Sequence, residues 1–393
     1  MPLLADVVGE LDAGLSELKL GERLASTAGL SLTRRTALLQ VAQARRKARP
    51  RYTNAEHMVF SRNSLEQFSD PHVAKWRADS LVQRFIADTN EMPGRLVDLT
   101  AGVGGDALFL GEHDAPLTCV EIDPARAVFL RHNLDVRGIA ATIVVGDALT
   151  FTTRPNDAVF SDPARRVDGR RVKALAAYRP PVPLLVKRHS VARICAVAIA
   201  PGIDASDAAL PPNSAVSYID VAGQLTEAVL WVGESQESVS ATREAVLLPE
   251  NVTKMRSDTL PDCAVDKQIG GWLITMRPAA IRARVHDDIA HTINARRVAH
   301  HRALFHTPTK PDDSPWYDAR PILSVGSAAP KQLRAMLREL PAKPIELVLH
   351  GLQADVTRLW QQLGAPERGP QGWRVELVRR DTDTVAVITD TKT

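Results

Sequence analysis

Residues 95–106 read RLVDLTAGVGGD, a short β-branched strand that runs into a glycine-rich turn. A helix over 107–111 follows directly. Glycine at positions such as Gly102 and Gly104 lets the backbone approach a ligand closely, since a Cβ there would collide. The glycine string is weak evidence by itself, but its place between a strand and a helix is the context that a nucleoside-binding turn requires. The alternative is a tight turn with no ligand.

Short strands alternate with helices after this turn, which indicates a parallel α/β sheet. The predicted strands cover 95–99, 117–121, 142–145, 157–161 and 194–200. Two further apolar runs, 215–221 and 226–232, are separated by Ala-Gly-Gln-Leu and predict an antiparallel hairpin. We therefore expect five parallel strands that are closed by a hairpin. Plain dinucleotide-binding folds do not require this hairpin, so an NAD-dependent dehydrogenase is disfavoured.

Acidic residues end the second and third predicted strands. Glu121 lies nineteen residues after Gly102, where a carboxylate can accept both ribose hydroxyls of a nucleoside that lies across the strand tips. Ile122 would then lie against the adenine, and Asp123 would cap the following helix. Asp147, in a Gly-Asp-Ala sequence, could accept from the adenine amino group. Each acid alone could equally be a helix cap.

The fourth predicted strand ends in SDPARR at residues 161–166. Substrates meet cofactors at this carboxyl edge in parallel sheets. Pro163 fixes the backbone so that Asp162 points into the cleft. Arg165 could clamp an anionic substrate together with neighbouring basic side chains. These neighbours are Arg166, Arg170, Arg171 and Lys173. A turn with a solvated basic loop is the alternative.

Three domains are expected, over residues 1–90, 91–250 and 276–393. The first is helical, because apolar residues recur at three- and four-residue intervals. Its segment 24–55 has no acidic residue and carries seven basic ones, which predicts either a solvated basic face or a phosphate-contacting patch. The basic residues are Arg34, Arg35, Arg45, Arg46, Lys47, Arg49 and Arg51.

The third domain is predicted to be α+β. It begins with a helical stretch over 281–306 that is rich in histidine and arginine, and strands and helices then alternate. The later strands are expected at 321–325, 345–349, 373–378 and 384–388, and the helices at 331–340 and 354–363. The histidine spacing fits no zinc pattern, so a polar helix face is expected there and no metal site is predicted.

Composition places the chain among ordinary soluble proteins, with 393 residues, 45% hydrophobic residues and a formal charge of +3. The longest apolar run, 194–200, is far shorter than the roughly 20 residues of a membrane-spanning helix. The first residues lack the basic region of a signal peptide, so a cytoplasmic location is expected. Three cysteines without a CxxC pair predict neither a disulfide framework nor a cysteine zinc site.

The ordered motifs VDLTAGVGGD, VEIDP, GDA and SDPAR resemble the cofactor motifs of class I S-adenosylmethionine-dependent methyltransferases. The helical leader, the APGID sequence at 200–204 and the hairpin that ends in EAVLW are similar to a bacterial group that carries a C-terminal THUMP-like domain. The resemblance implies a Rossmann-like seven-stranded sheet with an N-terminal helical domain and a C-terminal α+β domain. It also implies an RNA substrate, tRNA or rRNA, because THUMP modules accompany RNA-modifying enzymes.

The resemblance and the motif positions together define the candidate site. The candidate ligands of S-adenosylmethionine are Asp98, Thr100, Ala101, Gly102, Gly104, Asp106, Glu121, Ile122, Asp147, Ala148 and Asp162. The candidate catalytic residues are Asp162, Pro163 and Arg165.

Methyl transfer from a sulfonium mainly requires that donor and acceptor are aligned and that a proton is removed where necessary. Covalent methylation of pyrimidine carbon is disfavoured, because Cys195 starts an apolar strand and lacks a Ser-Cys-Asn-Pro setting. Ala164 and Arg165 replace the second proline and the aromatic residue of the amino-methylating tetrad. A guanidinium can stack on a base, so a base nitrogen is the expected acceptor. The alternatives are a methyltransferase for a small molecule or protein, and a catalytically idle RNA-binding module.

Overall fold

A computed structural model of the chain describes residues 2–27, 29–60, 65, 68–167, 170–204, 210–211, 214–233, 243–256, 261–266, 268–340, 343–363 and 372–390. The chain divides into two compact units. The first unit is Met1–Ser217 with Glu227–Thr242, and the second is Tyr218–Thr226 with Arg243–Thr393. The division into three domains stays a prediction.

The first unit begins with helices α1 (Pro2–Asp12), α2 (Glu17–Ala25), α3 (Leu32–Ala48) and α4 (Pro71–Thr89). Ser16 and Ser31 cap α2 and α3 by accepting backbone N–H groups of the first turn. Asp70 caps α4 in the same way, and Pro71 occupies its first turn. These segments are helical as predicted, and a shared core joins leucine and valine side chains of α1 and α2 to Ala42 of α3.

The five parallel strands of the first unit are β1 (Arg95–Asp98), β2 (Leu117–Glu121), β3 (Ala141–Val145), β4 (Asp157–Ser161) and β7 (Ile194–Ile199). Between β4 and β7 lies a separate short antiparallel pair, β5 (Arg166–Val167) and β6 (Arg170–Arg171). The helices among them are α5 (Ala107–Leu110), α6 (Pro124–Val136) and α7 (Val182–Arg188). Strands β2, β4 and β7 are buried along their whole length, as expected for a sheet that is covered on both faces. The five parallel strands are confirmed, with each boundary within one residue of its prediction.

The predicted hairpin is β8 (Ala215–Val221) with β9 (Gln224–Val232), and two strands follow it, β10 (Arg243–Leu248) and β11 (Val252–Met255). Within the described residues the sheet order is β11-β10-β8-β9-β7-β4-β1-β2-β3. Nine strands are present where seven were predicted, because β10 pairs beside β8 and β11 beside β10. Strand β10 is a short apolar run without the flanking helix pattern that identified the others.

The remaining elements of the second unit are β12 (Trp272–Met276), α8 (Pro278–Arg282), α9 (His286–Thr292), β13 (Arg296–Arg297), β14 (Leu304–Thr307), β15 (Tyr317–Ser327), α10 (Pro330–Arg338), β16 (Lys343–His350), α11 (Val356–Gln362), β17 (Gly372–Arg379) and β18 (Thr384–Asp390). They form a sheet of order β13-β14-β12-β15-β18-β17-β16. Within the described residues of this sheet, β16 and β17 pair in parallel and the other neighbouring strands pair antiparallel.

The helical stretch predicted over 281–306 is only partly present, because α8 ends at Arg282 and α9 covers only His286–Thr292. Residues Arg284, Asn294 and His301 have positive φ angles of 60°, 52° and 56°, a conformation that cannot continue a right-handed helix. Strand β14 occupies the end of the segment because it pairs with β12, a strand that the sequence pattern did not reveal. The histidines consequently do not share one helix face, and His306 is buried within β14.

Candidate functional site

The glycine-rich turn follows β1 at the carboxyl edge of the parallel sheet. Gly102 and Gly104 have φ angles of +56° and +108°, which side chains rarely adopt. A Cβ on Gly104 would also lie 3.1 Å from the Leu130 side chain. The Ala101 N–H donates to the carbonyl of Val120 at 3.0 Å, so the turn is fixed against the end of β2. The glycines are therefore required by the backbone of this turn.

Glu121, at the tip of β2, is brought directly against this turn. One carboxylate oxygen accepts the N–H of Gly102 at 2.8 Å, and the other accepts the N–H of Asp123 at 2.8 Å. Ile122 is 66% exposed beside it, although large apolar side chains are usually buried. Asp123 accepts the N–H of Ala125 at 2.8 Å and caps α6, as the sequence predicted. Each Glu121 oxygen retains a lone pair for a further donor.

The tips of β1 and β4 are joined by Thr100. Its hydroxyl accepts the N–H of Asp162 at 2.7 Å and lies 3.2 Å from the Ser161 hydroxyl. Asp98 accepts the N–H of Thr100 at 3.1 Å and is only 1% exposed. Burial raises the pKa of the Asp98 carboxyl well above its usual range, and the nearby Asp106 charge raises it further. Three of the predicted site residues therefore converge at one point.

Asp147 follows β3 and caps its own turn, since its Oδ1 accepts the N–H of Leu149 at 2.9 Å. The carbonyl of the buried Ala148 lies 3.0 Å from Nε2 of His189. The sequence left open whether Asp147 is a helix cap or a ligand for adenine. The structure shows Asp147 capping a turn, and its second carboxylate oxygen has no hydrogen-bond partner among the described residues.

Arg77 of α4 lies at the centre of a buried charge cluster. Its guanidinium bonds to Asp106 and to the Ser69 hydroxyl, and its Nη1 donates to Glu227 at 2.6 Å. Arg77 is 1% exposed and lies over the Phe160 ring, 4.9 Å from its centroid. The pKa of Asp106 is raised by burial, against the attraction of Arg77. Asp106, a predicted cofactor ligand, is thus bound to α4.

Glu227 extends the cluster toward the tip of β4. Because β9 runs antiparallel to β7 with Ala228 opposite Ile199, Glu227 lies at the same carboxyl edge as Asp162. The Nη2 of Arg165 is 3.9 Å from Glu227 Oε2. Burial raises the pKa of Glu227 to about 7 against the attraction of Arg77, and the charge of Asp162 adds to the rise.

The loop after β4 is held in place by backbone contacts. The Ala164 N–H donates to the carbonyl of Arg179 at 2.8 Å, and the Arg179 N–H donates back at 3.1 Å. Pro163 is buried. The Nη1 atom of Arg165 is buried and has no hydrogen-bond partner among the described residues. The Nη1 of Arg165 can therefore still donate a hydrogen bond to a ligand at the site.

Sequence reasoning missed Arg77 and Glu227 as site residues. Arg77 falls within a helix whose neighbouring positions Ala74, Ala78 and Leu81 are buried, so an arginine on an apolar face was the available signal. Glu227 directly precedes the apolar AVLWV run of β9, which is a similar signal. Glu227 begins the EAVLW sequence, but no motif spacing relates it to Arg77, because the two residues are 150 positions apart.

The basic leader is partly neutralised in the structure. Asp12 pairs with Arg46 at 2.9 Å and with Arg49 at 2.5 Å. Arg45 is buried, and its Nε donates to the carbonyl of Met58 at 2.6 Å. Part of this basic segment therefore serves the packing of the helices.

No group of three or more His, Cys, Asp or Glu side chains that could hold a metal ion occurs in the described part of the chain. None of the helices described is both long and apolar enough to cross a membrane.

Two curated relatives are similar to this chain in sequence. Each is described as an uncharacterized S-adenosylmethionine-dependent methyltransferase of Mycobacterium tuberculosis, one from strain CDC 1551 / Oshkosh and one from strain ATCC 25618 / H37Rv. Each is 30% identical over 226 residues, which are 57% of this chain and 59% of the relative. The chain thus spans somewhat more than half the length of these relatives. No protein-family model matches it.

A solved structure shares the whole fold. It belongs to a candidate methyltransferase from Porphyromonas gingivalis W83, and it aligns over 100% of this chain and 99% of its own. The TM-score is 0.77 and the sequence identity is 16%. The chain therefore has the α/β fold of that structure, with a mixed sheet of many strands.

Proposed function

We propose that this chain is an S-adenosylmethionine-dependent methyltransferase that methylates a base nitrogen in tRNA or rRNA. The contact between Glu121 and Gly102 carries the proposal. A buried carboxylate with free lone pairs, an exposed Ile122 and a turn that requires glycine lie together at the strand tips. These features suit a ribose, an adenine and a close backbone approach, respectively.

The residues present fit S-adenosylmethionine. Glu121 would hold the ribose hydroxyls, Ile122 the adenine face, and Asp147 the adenine amino group. Asp98 and Asp162 would lie near the methionine part, where carboxylates suit a cationic ligand. When bound, the cofactor supplies an electrophilic methyl group. The chain's own task is then to orient the acceptor and remove its proton.

The acceptor side favours RNA. Exposed basic side chains follow the Asp162 tip, and phosphate contacts of this kind provide most of the affinity of RNA-binding surfaces. They are Arg166, Arg170 and Lys173. Arg165 would stack on or hydrogen-bond to the target base, because its Nη1 has no partner among the described residues. The C-terminal residues would act as the THUMP-like RNA-binding part, and such substrates agree with a cytoplasmic location.

Transfer of a tritiated methyl group to bulk unmodified RNA tests this function. We expect the wild-type chain to label RNA, Asp162→Ala to lose at least about 100-fold in kcat, and the exposed Asp114→Ala control to stay close to wild type. Affinity for RNA should also fall steeply with added salt. Cofactor binding without labelling of any RNA would contradict the proposal. Labelling of only small molecules or proteins would favour the alternative methyltransferase.

A further inference from the structure

The Arg77 cluster contains one carboxyl group that the cofactor motifs do not explain. Glu227 belongs to none of the four motif segments, yet it is 7% exposed and lies at the carboxyl edge of the sheet. A buried glutamate requires compensation, since a charge is expensive to bury without partners. Its position on the acceptor side of the site therefore calls for a chemical explanation.

Side chains from two elements contact Glu227. Arg77 of α4 donates to Oε1 at 2.6 Å, and Arg165, after β4, lies 3.9 Å from Oε2. Arg77 also holds Asp106 of the glycine-rich turn. Oε1 is thus engaged by a fixed hydrogen bond, whereas the longer contact at Oε2 leaves that oxygen able to accept a proton. The side chain is 9% exposed and so is not fully enclosed.

Four charged side chains act on Glu227. Arg77 and Arg165 favour the carboxylate, whereas Asp162 and Asp106 disfavour it. Asp162 also acts electrostatically on Arg77 and Asp106, so the proposed catalytic tip of β4 belongs to the same cluster. The balance leaves the pKa of Glu227 at about 7, where a carboxylate can both accept a proton and release it.

We propose that Glu227 is the proton acceptor for the methylated nitrogen and that Arg77 positions it. This inference rests on the proposed function. The acceptor nitrogen uses its lone pair to form the N–C bond while the C–S bond of the donor breaks and its electron pair stays on sulfur. The nitrogen then carries a positive charge and loses its proton to Glu227 Oε2. The carboxylic acid that results gives this proton to water after product release.

Asp157 provides a matched control for Glu227. It is a carboxylate of the same unit, 1% exposed, and it pairs with Arg95 at 2.5 Å. It lies at the start of β4, the opposite edge of the sheet. Asp157→Asn therefore removes the buried carboxylate that pairs with Arg95 and leaves the proposed site unchanged.

The experiment compares wild type, Glu227→Gln, Glu227→Asp and Asp157→Asn. We expect Glu227→Gln to lower kcat for RNA at least about 100-fold and to abolish the rise of kcat between pH 6 and 8. Its affinity for adenosylmethionine should stay within about threefold of wild type. Glu227→Asp should recover part of the rate, and Asp157→Asn should keep both rate and pH profile. An unchanged kcat and pH profile in Glu227→Gln would overturn the inference.

A readout that needs no turnover accompanies the rates. In protein with ¹³C-labelled glutamate carboxyl groups, one resonance that is absent from Glu227→Gln should titrate near pH 7. A Glu227 resonance that remains ionised down to pH 5 would overturn the inference. If the wild type binds adenosylmethionine but methylates no RNA, the RNA proposal fails, and this titration alone then decides the role of Glu227.

Discussion

Each edge of the parallel sheet holds an arginine beside buried carboxyl groups, the half-buried Arg95 at one edge and the buried Arg77 at the other, but the balance of charged groups differs. At the amino edge, Arg95 meets the single carboxylate of Asp157 at 2.5 Å. At the carboxyl edge, Arg77 bonds to both Asp106 and Glu227, and the charge of Asp162 acts on all three. One edge pairs a single guanidinium with a single carboxyl group, whereas the other holds more carboxyl groups than guanidinium groups.

This difference separates a structural ion pair from a candidate site. A balanced pair needs no further partner, because each charge compensates the other. Burial raises the pKa values of Asp98, Asp106 and Glu227, and the charges of neighbouring carboxylates raise them further. Perturbed groups of this kind cluster at functional sites. This arrangement agrees with the cationic ligand that we propose for the carboxyl edge.

The largest expected effect comes from removing the arginine at each edge. Arg77→Met leaves two buried carboxylates without their cation, so we expect it to lower the free energy of unfolding by about 3–5 kcal/mol. Arg95→Met leaves only one, and a loss of about 1–3 kcal/mol is expected. Urea unfolding at pH 7.5 measures both. Equal losses would contradict the difference between the edges.

A pH dependence of stability distinguishes Glu227 from Asp157. The pKa of Glu227 rises from its ordinary 4.5 to about 7 in the folded chain, so its contribution to stability is fully present below pH 4.5 and is lost as the pH rises through 7. The unfolding free energy of wild type relative to Glu227→Gln should therefore fall between pH 4.5 and 7.5. The unfolding free energy of Asp157→Asn, compared with that of Glu227→Gln, should fall over the same pH range, because Asp157→Asn keeps Glu227. An identical pH dependence in wild type and Glu227→Gln would contradict this assignment.

The smallest effect is expected at Asp123, an acid of the carboxyl edge with a structural role. Asp123→Ala removes the cap of α6 and should cost about 1 kcal/mol of stability. Adenosylmethionine affinity should change less than about twofold, since the carboxylate is used by the Ala125 N–H. Thermal unfolding and calorimetry check the two parts. A large loss of affinity would show that Asp123 touches the ligand.

The strand tips of the first unit could be predicted because their signals are local. The VDLTAGVGGD and VEIDP segments each combine a strand with a turn or a cap within ten residues, and the cap at Asp123 was confirmed. Strand boundaries followed from short β-branched runs that are buried on both faces. Local chemistry therefore sufficed for the part of the site that the first three strands form.

Long-range pairing was not predictable from these patterns. Arg77 reaches Asp106 across 29 positions and Glu227 across 150, so no motif spacing records the cluster. Strand β14 ends a segment whose composition favours a helix, because pairing with β12 overrides the local preference. The positive φ angle of Asn294 marks the break, but asparagine alone does not require it.

Calorimetric titration of the full chain with S-adenosylmethionine tests the central claim most directly. We expect one ligand per wild-type chain, and an affinity about 10- to 100-fold weaker in Glu121→Gln, because the ribose loses a charged acceptor. Asp123→Asn serves as the neighbouring control and should bind like wild type. No binding to the wild-type chain, or equal binding to Glu121→Gln, would contradict a nucleoside site at the tips of β1 and β2.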